Sequence, residues 1–520
     1  MLRKLRISLA VLVFISITLL FLDFTGTLHA WLGWMAKIQF LPAILALNLG
    51  VIILLTVITL LFGRVYCSVI CPLGIMQDII SWIHGRTKKK NRFRFKYSPA
   101  KKWLRYILLG AFVPVLALGA NAVALLIAPY STFGRIATNI FSPIYRLCNN
   151  GLSWIAERVD SYMFYSTEVW VGSISSLIIA IVSFAIIFVL AWKNGRTWCN
   201  TICPVGTLLG VLSRFSLFAP VIDKEKCQKC GLCEKQCKAS CINSAEEEID
   251  YSRCVACMNC IESCKEGAIK YGVRRRFFAD AQNDKVKQND KGKQNEKGKQ
   301  NDKGKQNGEV SQASRRAFIA SGVLAIGATA KAQVESKLDG GLAEVSYATK
   351  PERKLPVVPA GSVSLRNFES HCVACQLCIH ACPNNVLRPS SSLNNFMQPE
   401  MNFDKGYCRP ECNTCSEVCP AGAIRPISIP EKTSIQIGVA VINLDNCIIN
   451  TDNAKCGHCS RICPSKAITM VRKNPDDDKS VRIPAVNEQK CIGCGACEHL
   501  CPARPFTAIH IEGIEVHKTR

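Results

Sequence analysis

The stretch "CQKCGLCEKQC" at residues 227–237 sets Cys227, Cys230, Cys233 and Cys237 at gaps of two, two and three residues. "CVACMNCIESC" at residues 254–264 repeats those gaps with Cys254, Cys257, Cys260 and Cys264. Three thiolates two residues apart wrap one corner of a cubane iron–sulfur cluster, and the fourth, displaced by three, points to a neighbouring cluster. The expected sets are therefore exchanged. Cys227, Cys230, Cys233 and Cys264 share one cluster; Cys254, Cys257, Cys260 and Cys237 share the other. The proline that usually follows the fourth cysteine is Lys238 here and Lys265 in the repeat. Positive charge at those places raises cluster potential. Cys241 is left over as a spare thiol.

This is the spacing of bacterial two-cluster ferredoxins, and a second string extends it. Cys372, Cys375, Cys378 and Cys382 are regular, as are Cys491, Cys494, Cys497 and Cys501. Cys408, Cys412, Cys415 and Cys419 carry one extra residue in the first gap, and Cys447, Cys456, Cys459 and Cys463 a long one. Sixteen cysteines make four cubanes. Two pairings are open: neighbouring motifs, or nested motifs with the regular ones outermost, and the insertions lean toward nesting. Structural zinc sites instead use two-plus-two knuckles. In domains with such small cores, cluster binding supplies much of the folding free energy. His371, His380, His458 and His499 lie near motifs and read as tuning or surface groups, not ligands.

The chain has 520 residues, 30 cysteines and a formal net charge of +25. Its length argues against a disulfide scaffold, a class of short secreted chains. No aromatic–basic platform for nucleic acid accompanies the charge, so the basic excess reads as loops beside a membrane. Residues 7–24, 40–62, 107–128 and 169–192 are apolar runs near the roughly 20 residues that cross a bilayer as helix. Ten Lys and Arg lie between residues 64 and 102, and Arg3, Lys4, Arg6, Lys193 and Arg196 fall on the same side. The other side has His29, Lys37, Arg135, Arg146 and Arg158. Positive residues stay in the cytoplasm, so both ends of this four-helix block face inward. The outer loop at residues 130–165, with Trp154, Glu157 and Asp160, reads as an interfacial helix or the rim of a ligand pocket.

Inside the block, "GRVYCSVICPLG" from Gly63 matches "GRTWCNTICPVG" from Gly195. Each half thus ends in Cys-x-x-x-Cys-Pro, with Cys67 and Cys71 on one helix face and Cys199 and Cys203 on another. The prolines end or bend those helices. Three readings are open: a metal or iron–sulfur site, redox-active thiols, or packing and turn residues.

Residues 277–313 form a Lys/Gln/Asn/Asp/Gly linker with nothing to bury, expected to be disordered. "ASRRAFIASGVLAIGATAKAQ" follows, so residues 314–333 read as a twin-arginine export signal, cleaved after Ala332 or kept as a fifth membrane segment. The expected architecture is multi-domain: an α-helical membrane bundle of four helices plus that fifth segment, with two bacterial-ferredoxin-like α+β iron–sulfur domains. The parts are a membrane domain at 1–220, a cytoplasmic two-cluster domain at 221–276 and an extracytoplasmic four-cluster domain at 334–520.

With those motifs in place, residues 1–275 resemble the NapH family of membrane ferredoxins, and residues 314 to about 514 resemble the NapG family of twin-arginine-exported polyferredoxins. The chain reads as a fusion of the two. The resemblance implies a component of a quinol dehydrogenase in the cell inner membrane, multi-pass, carrying electrons from the quinone pool through six [4Fe–4S] clusters. The acceptor would be an extracytoplasmic redox protein such as a cytochrome or terminal reductase. Relatives that serve enzyme maturation give the alternative, an iron–sulfur reductase or accessory factor for metalloenzyme assembly. No nucleophile–base set or nucleotide-binding glycine loop is present, so no catalytic residue is assigned.

Overall fold

The computed structural model describes residues 2–274 and 348–520, except 24–25, 88–94, 118, 120, 162, 170–171 and 478–479, together with 338–339 and 343–344. The linker at 277–313 and the twin-arginine stretch at 314–333 lie outside the described residues. The chain divides into two units. One holds residues 1–274, 350–501 and 508–520; the other holds residues 275–349 with 502–507.

In the first unit, α1 (Leu2–Leu22) is unbroken for 21 residues. Helix α2 (Leu49–Phe62) follows a shorter helix, Phe40–Leu45. Helices α3 (Pro72–Thr87) and α4 (Lys102–Ala117) come next. Helices α5 (Pro129–Ile136) and α6 (Ser142–Glu157) are joined by a single π-helical turn. Then α7 (Ile174–Asn194) runs unbroken for 21 residues and α8 (Pro204–Leu212) closes the series. At 1.5 Å per residue, α1 and α7 are each about 31 Å long, near the roughly 30 Å of a bilayer core. Among the described residues, these two are long and apolar enough to cross a membrane.

The other two expected spans are interrupted. Residues 40–62 break where Leu47 takes a φ of 51° and the Asn48 side chain caps α2 by accepting from the Val51 N–H. Residues 107–128 carry Pro114 inside α4, and Gly119 sits at a φ of 77° before the next short helix, Asn121–Ile127. Apolar composition reports burial or lipid exposure. It does not report whether every backbone N–H finds its carbonyl four residues back. At the two Cys-x-x-x-Cys-Pro ends the preceding helical turns, Tyr66–Ile70 and Thr197–Thr201, stop before the proline as expected. Pro72 and Pro204 then begin α3 and α8, where a missing N–H costs nothing. Cys71 and Cys203 therefore lie between two helices, not on one helix face with Cys67 and Cys199.

Two-stranded sheets frame the cysteine motifs. Strand β1 (Phe218–Ile222) precedes the first motif pair, β2 (Ile242–Asn243) and β3 (Glu248–Ile249) form a hairpin between its members, and β4 (Ile269–Val273) follows. Strands β1 and β4 then pair antiparallel, Phe218 opposite Val273. Farther on, β5 (Leu387–Pro389) and β6 (Pro399–Met401) form the hairpin between the first two motifs of the second string. Strand β7 (Ile435–Ile442) precedes the last two motifs. The hairpin of β8 (Ile468–Arg472) with β9 (Arg482–Val486) separates them, and β10 (Ile509–Thr519) returns to pair with β7. Residues 435–519 thus repeat the plan of residues 218–273.

The two cysteine-rich regions touch opposite ends of the long helices. Near the start of α1, Arg3 Nε donates to Asn259 Oδ1 of the first region at 3.1 Å. The far end of α1 packs on the short helix Leu377–Ala381 of the second. Near the start of α7, Gln376 Nε2 donates to Ser176 Oγ at 2.9 Å. Just beyond the end of α7, the Arg196 N–H donates to the Lys238 carbonyl at 2.9 Å.

Candidate iron–sulfur centres and a buried cysteine chamber

In the first region a cavity of about 270 Å³ is lined by Cys227, Cys230, Cys233 and Cys264. A second, smaller cavity is lined by Cys237, Cys254, Cys257 and Cys260. These are the two exchanged sets that the spacing predicts. The loops reach this shape through left-handed residues, among them Lys229, Gly231, Ala256 and Met258. Burial pushes the Cys233 thiol up to about 11; a ligand must be deprotonated, so loading such a site releases protons. Cys241 is not idle. Its Sγ lies 3.5 Å from Cys237 Sγ, it lines the second cavity, and its thiol helps hold Cys237 down to about 7.

In the second region the thiol of Cys419 acts electrostatically on Cys372, Cys375 and Cys378. Cys382 acts on Cys408 and Cys415, with Cys412 beside them. Cys501 neighbours Cys447, Cys456 and Cys459, and Cys463 lines one cavity with Cys491, Cys494 and Cys497. The pairing is therefore between neighbouring motifs, and the leaning toward nesting is corrected. The hairpins β5–β6 and β8–β9 turn each motif back onto the next, and the closure of β7 on β10 confines the last two in one frame. Within the long gap, Ile448–Thr451 forms a helical turn with Ile449 buried. The sets also form a row, since the Cys408 N–H donates to the Cys494 carbonyl at 2.9 Å. Cys419→Ala is expected to remove the Cys372 cluster, roughly four irons per chain, while Cys501→Ala spares it; iron analysis with EPR of each variant decides the pairing.

Among the described residues no three of His, Cys, Asp and Glu gather tightly enough to share one metal ion. The thiols instead stand around cavities, as the separated corners of a cubane require. Backbone N–H groups point at several of them: Ala374 N to Cys372 Sγ at 3.4 Å, Ala467 N to Cys463 Sγ at 3.2 Å and Ala440 N to Cys491 Sγ at 3.4 Å. Such donors stabilise a cluster's negative charge and tune its potential. The residues present fit [4Fe–4S] clusters, which when bound would supply one-electron chemistry.

The two Cys-x-x-x-Cys-Pro ends meet. Cys67, Cys71, Cys199 and Cys203 are all buried. Arg64 and Arg196, the arginines of the two Gly-Arg pairs, are both 0% exposed. Arg64 donates to the Cys199 carbonyl at 3.1 Å, and Arg196 to the Cys67 carbonyl at 2.7 Å. Gln77 Nε2 donates to Cys199 Sγ at 3.2 Å. Asp78 receives Arg196, Arg6 and Lys238 at 2.8, 3.0 and 3.4 Å. Lys238, read from sequence as a free charge beside a cluster, is thus an anchor between the first cysteine region and the helices. Gln77, Asp78 and the arginines escaped the sequence reading, although the repeated Gly-Arg was its visible signal.

The segment expected as an outer loop divides. Helix α5 is wholly buried, and α6 alone is the exposed amphipathic part, where Arg158 stacks on Trp154 at 3.7 Å. The residues of α5 meet the Cys375 loop: Ser131 Oγ donates to the Ala374 carbonyl at 3.4 Å, and Asn139, just beyond α5, donates to Gln376 Oε1 at 2.8 Å. His380 Nδ1 lies 3.3 Å from Ser142 Oγ, and His371 and His499 bond backbone carbonyls through Nδ1. They hold loops in place.

Paired thiol triplets with exchanged fourth cysteines define an iron–sulfur electron-transfer protein. The 4Fe-4S dicluster domain family matches residues 371–423 and 454–504, a 4Fe-4S binding domain family matches 247–270, and another of that description matches 44–91 and 176–221. The ferredoxin-type protein NapH of Escherichia coli (strain K12) is 30% identical over 200 residues, 38% of this chain and 55% of that protein. The methylamine utilization ferredoxin-type protein MauN of Paracoccus denitrificans (strain Pd 1222) is 28% identical over 176 residues, 34% of this chain and 48% of that one. The methylamine utilization ferredoxin-type protein MauM of Methylorubrum extorquens is 33% identical over 198 residues, 35% of this chain and 81% of that one. The chain belongs to this family of ferredoxin-type iron–sulfur electron-transport proteins. It spans about half the length of NapH and MauN. No solved structure matches it.

Proposed function

We propose that the chain is a membrane-anchored relay that takes electrons from quinol and delivers them, through six [4Fe–4S] clusters, to an extracytoplasmic redox protein. Two clusters, on Cys227 to Cys264, lie on the cytoplasmic side; four, on Cys372 to Cys501, lie outside. The observation that carries this reading is the docking of the two cysteine regions at opposite ends of α1 and α7. The excess of Lys and Arg at residues 64–102 supports a cytoplasmic address for the first region. On this reading residues 314–333 are a twin-arginine signal that passes a cluster-bearing domain outward, the two halves correspond to NapH-like and NapG-like parts, and the chain sits in the inner membrane. The clusters carry the redox chemistry; the protein sets distance, potential and sidedness.

Reduced quinol added anaerobically to the reconstituted chain should produce the EPR signals of reduced clusters. A spectrum that stays oxidised overturns the quinol donor. Protease added to intact spheroplasts should cut the second cysteine region and spare the first. Protection of the second region, with an outer-loop control cut, overturns the sidedness.

A further inference from the structure

We infer that two residues of the helical region, Arg135 and Tyr130, set the reduction potential of the cluster on Cys372, Cys375, Cys378 and Cys419. Three observations carry it. The first is proximity. Helix α5 lies directly on the Cys375 loop: a Cβ at Gly134 would strike the Cys375 carbonyl. Ser131 and Asn139 bond Ala374 and Gln376 on either side of it, and Ser176 of α7 accepts from Gln376. Cys372, Cys375 and Cys378 are all buried. A charge on α5 is weakly screened from thiols placed in this way.

The second is charge. Arg135 is 0% exposed. Its guanidinium donates to the Leu125 and Leu126 carbonyls at 3.2 and 2.9 Å and to the Ser131 and Thr132 hydroxyls at 2.7 and 3.3 Å. All four acceptors are neutral, and its Nε has no partner. Among the described residues, the Cys375 thiol is the ionisable group whose charge acts on it. By contrast Arg353, also buried in its surroundings, meets the carboxylate of Glu498. A buried cation without a counter-charge is costly. Iron-bound thiolates with bridging sulfide supply the missing negative charge. That attraction is stronger for the reduced cluster, which carries one more electron, so the arginine raises the potential.

The third is an unanswered hydroxyl. Tyr130 is buried, its Oη has no partner, and it acts electrostatically with Cys375 and Cys419. Its ring rests on Phe21 of α1, centroids 6.0 Å apart. Phenylalanine would serve that packing as well: Phe133, on the next turn, meets the same Phe21 ring at 6.0 Å. A buried hydroxyl left unpaired is costly, and a negatively charged cluster is an acceptor for it. Donors of this kind also raise cluster potential. Arg135 has a structural task too, since Leu125 and Leu126 belong to the carbonyl end of the short helix Asn121–Ile127. That task alone would leave the potential untouched. The inference adds to the relay the groups that fix the energy of one step. Its test uses neither quinol nor sidedness, so the two readings fail separately.

The test is a redox titration of the full chain followed by EPR, reading the signal that Cys419→Ala removes. Arg135→Gln should lower the midpoint of that signal and leave the others in place. Arg135→Lys, which keeps the charge, should hold it near the wild-type value. Tyr130→Phe, which removes one oxygen and keeps the ring, should lower the same midpoint by less. If Arg135→Gln fails to hold the cluster, Tyr130→Phe and Arg135→Lys decide. An unchanged midpoint in Arg135→Gln or in Tyr130→Phe overturns the proposal, as does an equal shift of every signal. Loss of the signal in Arg135→Lys, or a midpoint there as low as in Arg135→Gln, assigns the arginine to structure alone and overturns it too.

Discussion

Asp78→Asn destabilises the protein by about 3–5 kcal/mol, the cost of stranding buried charges when one partner of a pair is removed. The Asp78 carboxylate is the common acceptor of Arg196, Arg6 and Lys238. Those three come from the second thiol pair, from α1 and from the first cysteine region, so one group ties three parts of the chain together. The expected result is an unfolding midpoint in detergent several degrees lower, with early loss of the clusters at Cys254 and Cys227. Arg196→Gln added to Asp78→Asn should recover part of the loss, because the double variant leaves fewer stranded charges. Equal stability of Asp78→Asn and wild type would mean that water reaches the site and screens it.

Stripping iron unfolds the first cysteine region while leaving the long helices intact. Residues 218–273 have β1 paired with β4, one two-residue hairpin and two single-turn helices. So little apolar burial cannot offset the ordering entropy of its loops. Structural metal in small domains contributes on the order of 10 kcal/mol, and the clusters are expected to play that part here. After chelation, amide exchange at residues 218–273 should approach that of free peptide, while α1 and α7 keep their protection. Undiminished protection in 218–273 would locate its stability in contacts with the helices, such as Arg3 to Asn259 and Lys238 to Asp78.

How far the site was legible differs from part to part. In the first region, spacing alone predicted which four thiols line each cavity, because three-residue steps force the fourth cysteine away from its own triplet. In the second region the same rule left the partner open. The choice is made by β5–β6, β8–β9 and the long pairing of β7 with β10. Those strands are short or distant in sequence, and the insertions before Cys412 and Cys456 drew attention away from them. The helices were legible as apolar runs but not as continuous ones, since Leu47, Asn48, Pro114 and Gly119 act on the backbone and hardly alter hydropathy. Burial of α5 was hidden by its composition: Ser131, Thr132 and Arg135 look like surface residues until the Cys375 loop and the helices close over them.

The exchange of contacts across the cysteine chamber has a consequence for how such a chain could arise. Arg64 on the Cys199 carbonyl and Arg196 on the Cys67 carbonyl obey the rule of an isologous interface, in which i meets j and j meets i. In these two contacts the chamber has the form of a homodimer contact within one polypeptide. A single half carrying one Gly-Arg and one Cys-x-x-x-Cys-Pro would therefore be self-complementary, and two copies of it would rebuild all four sulfurs and both arginines. Joining the halves removes the concentration dependence of that encounter. It also leaves each half free to differ: Gly210 on α8 stands where Asp78 stands on α3, and one side alone carries the carboxylate.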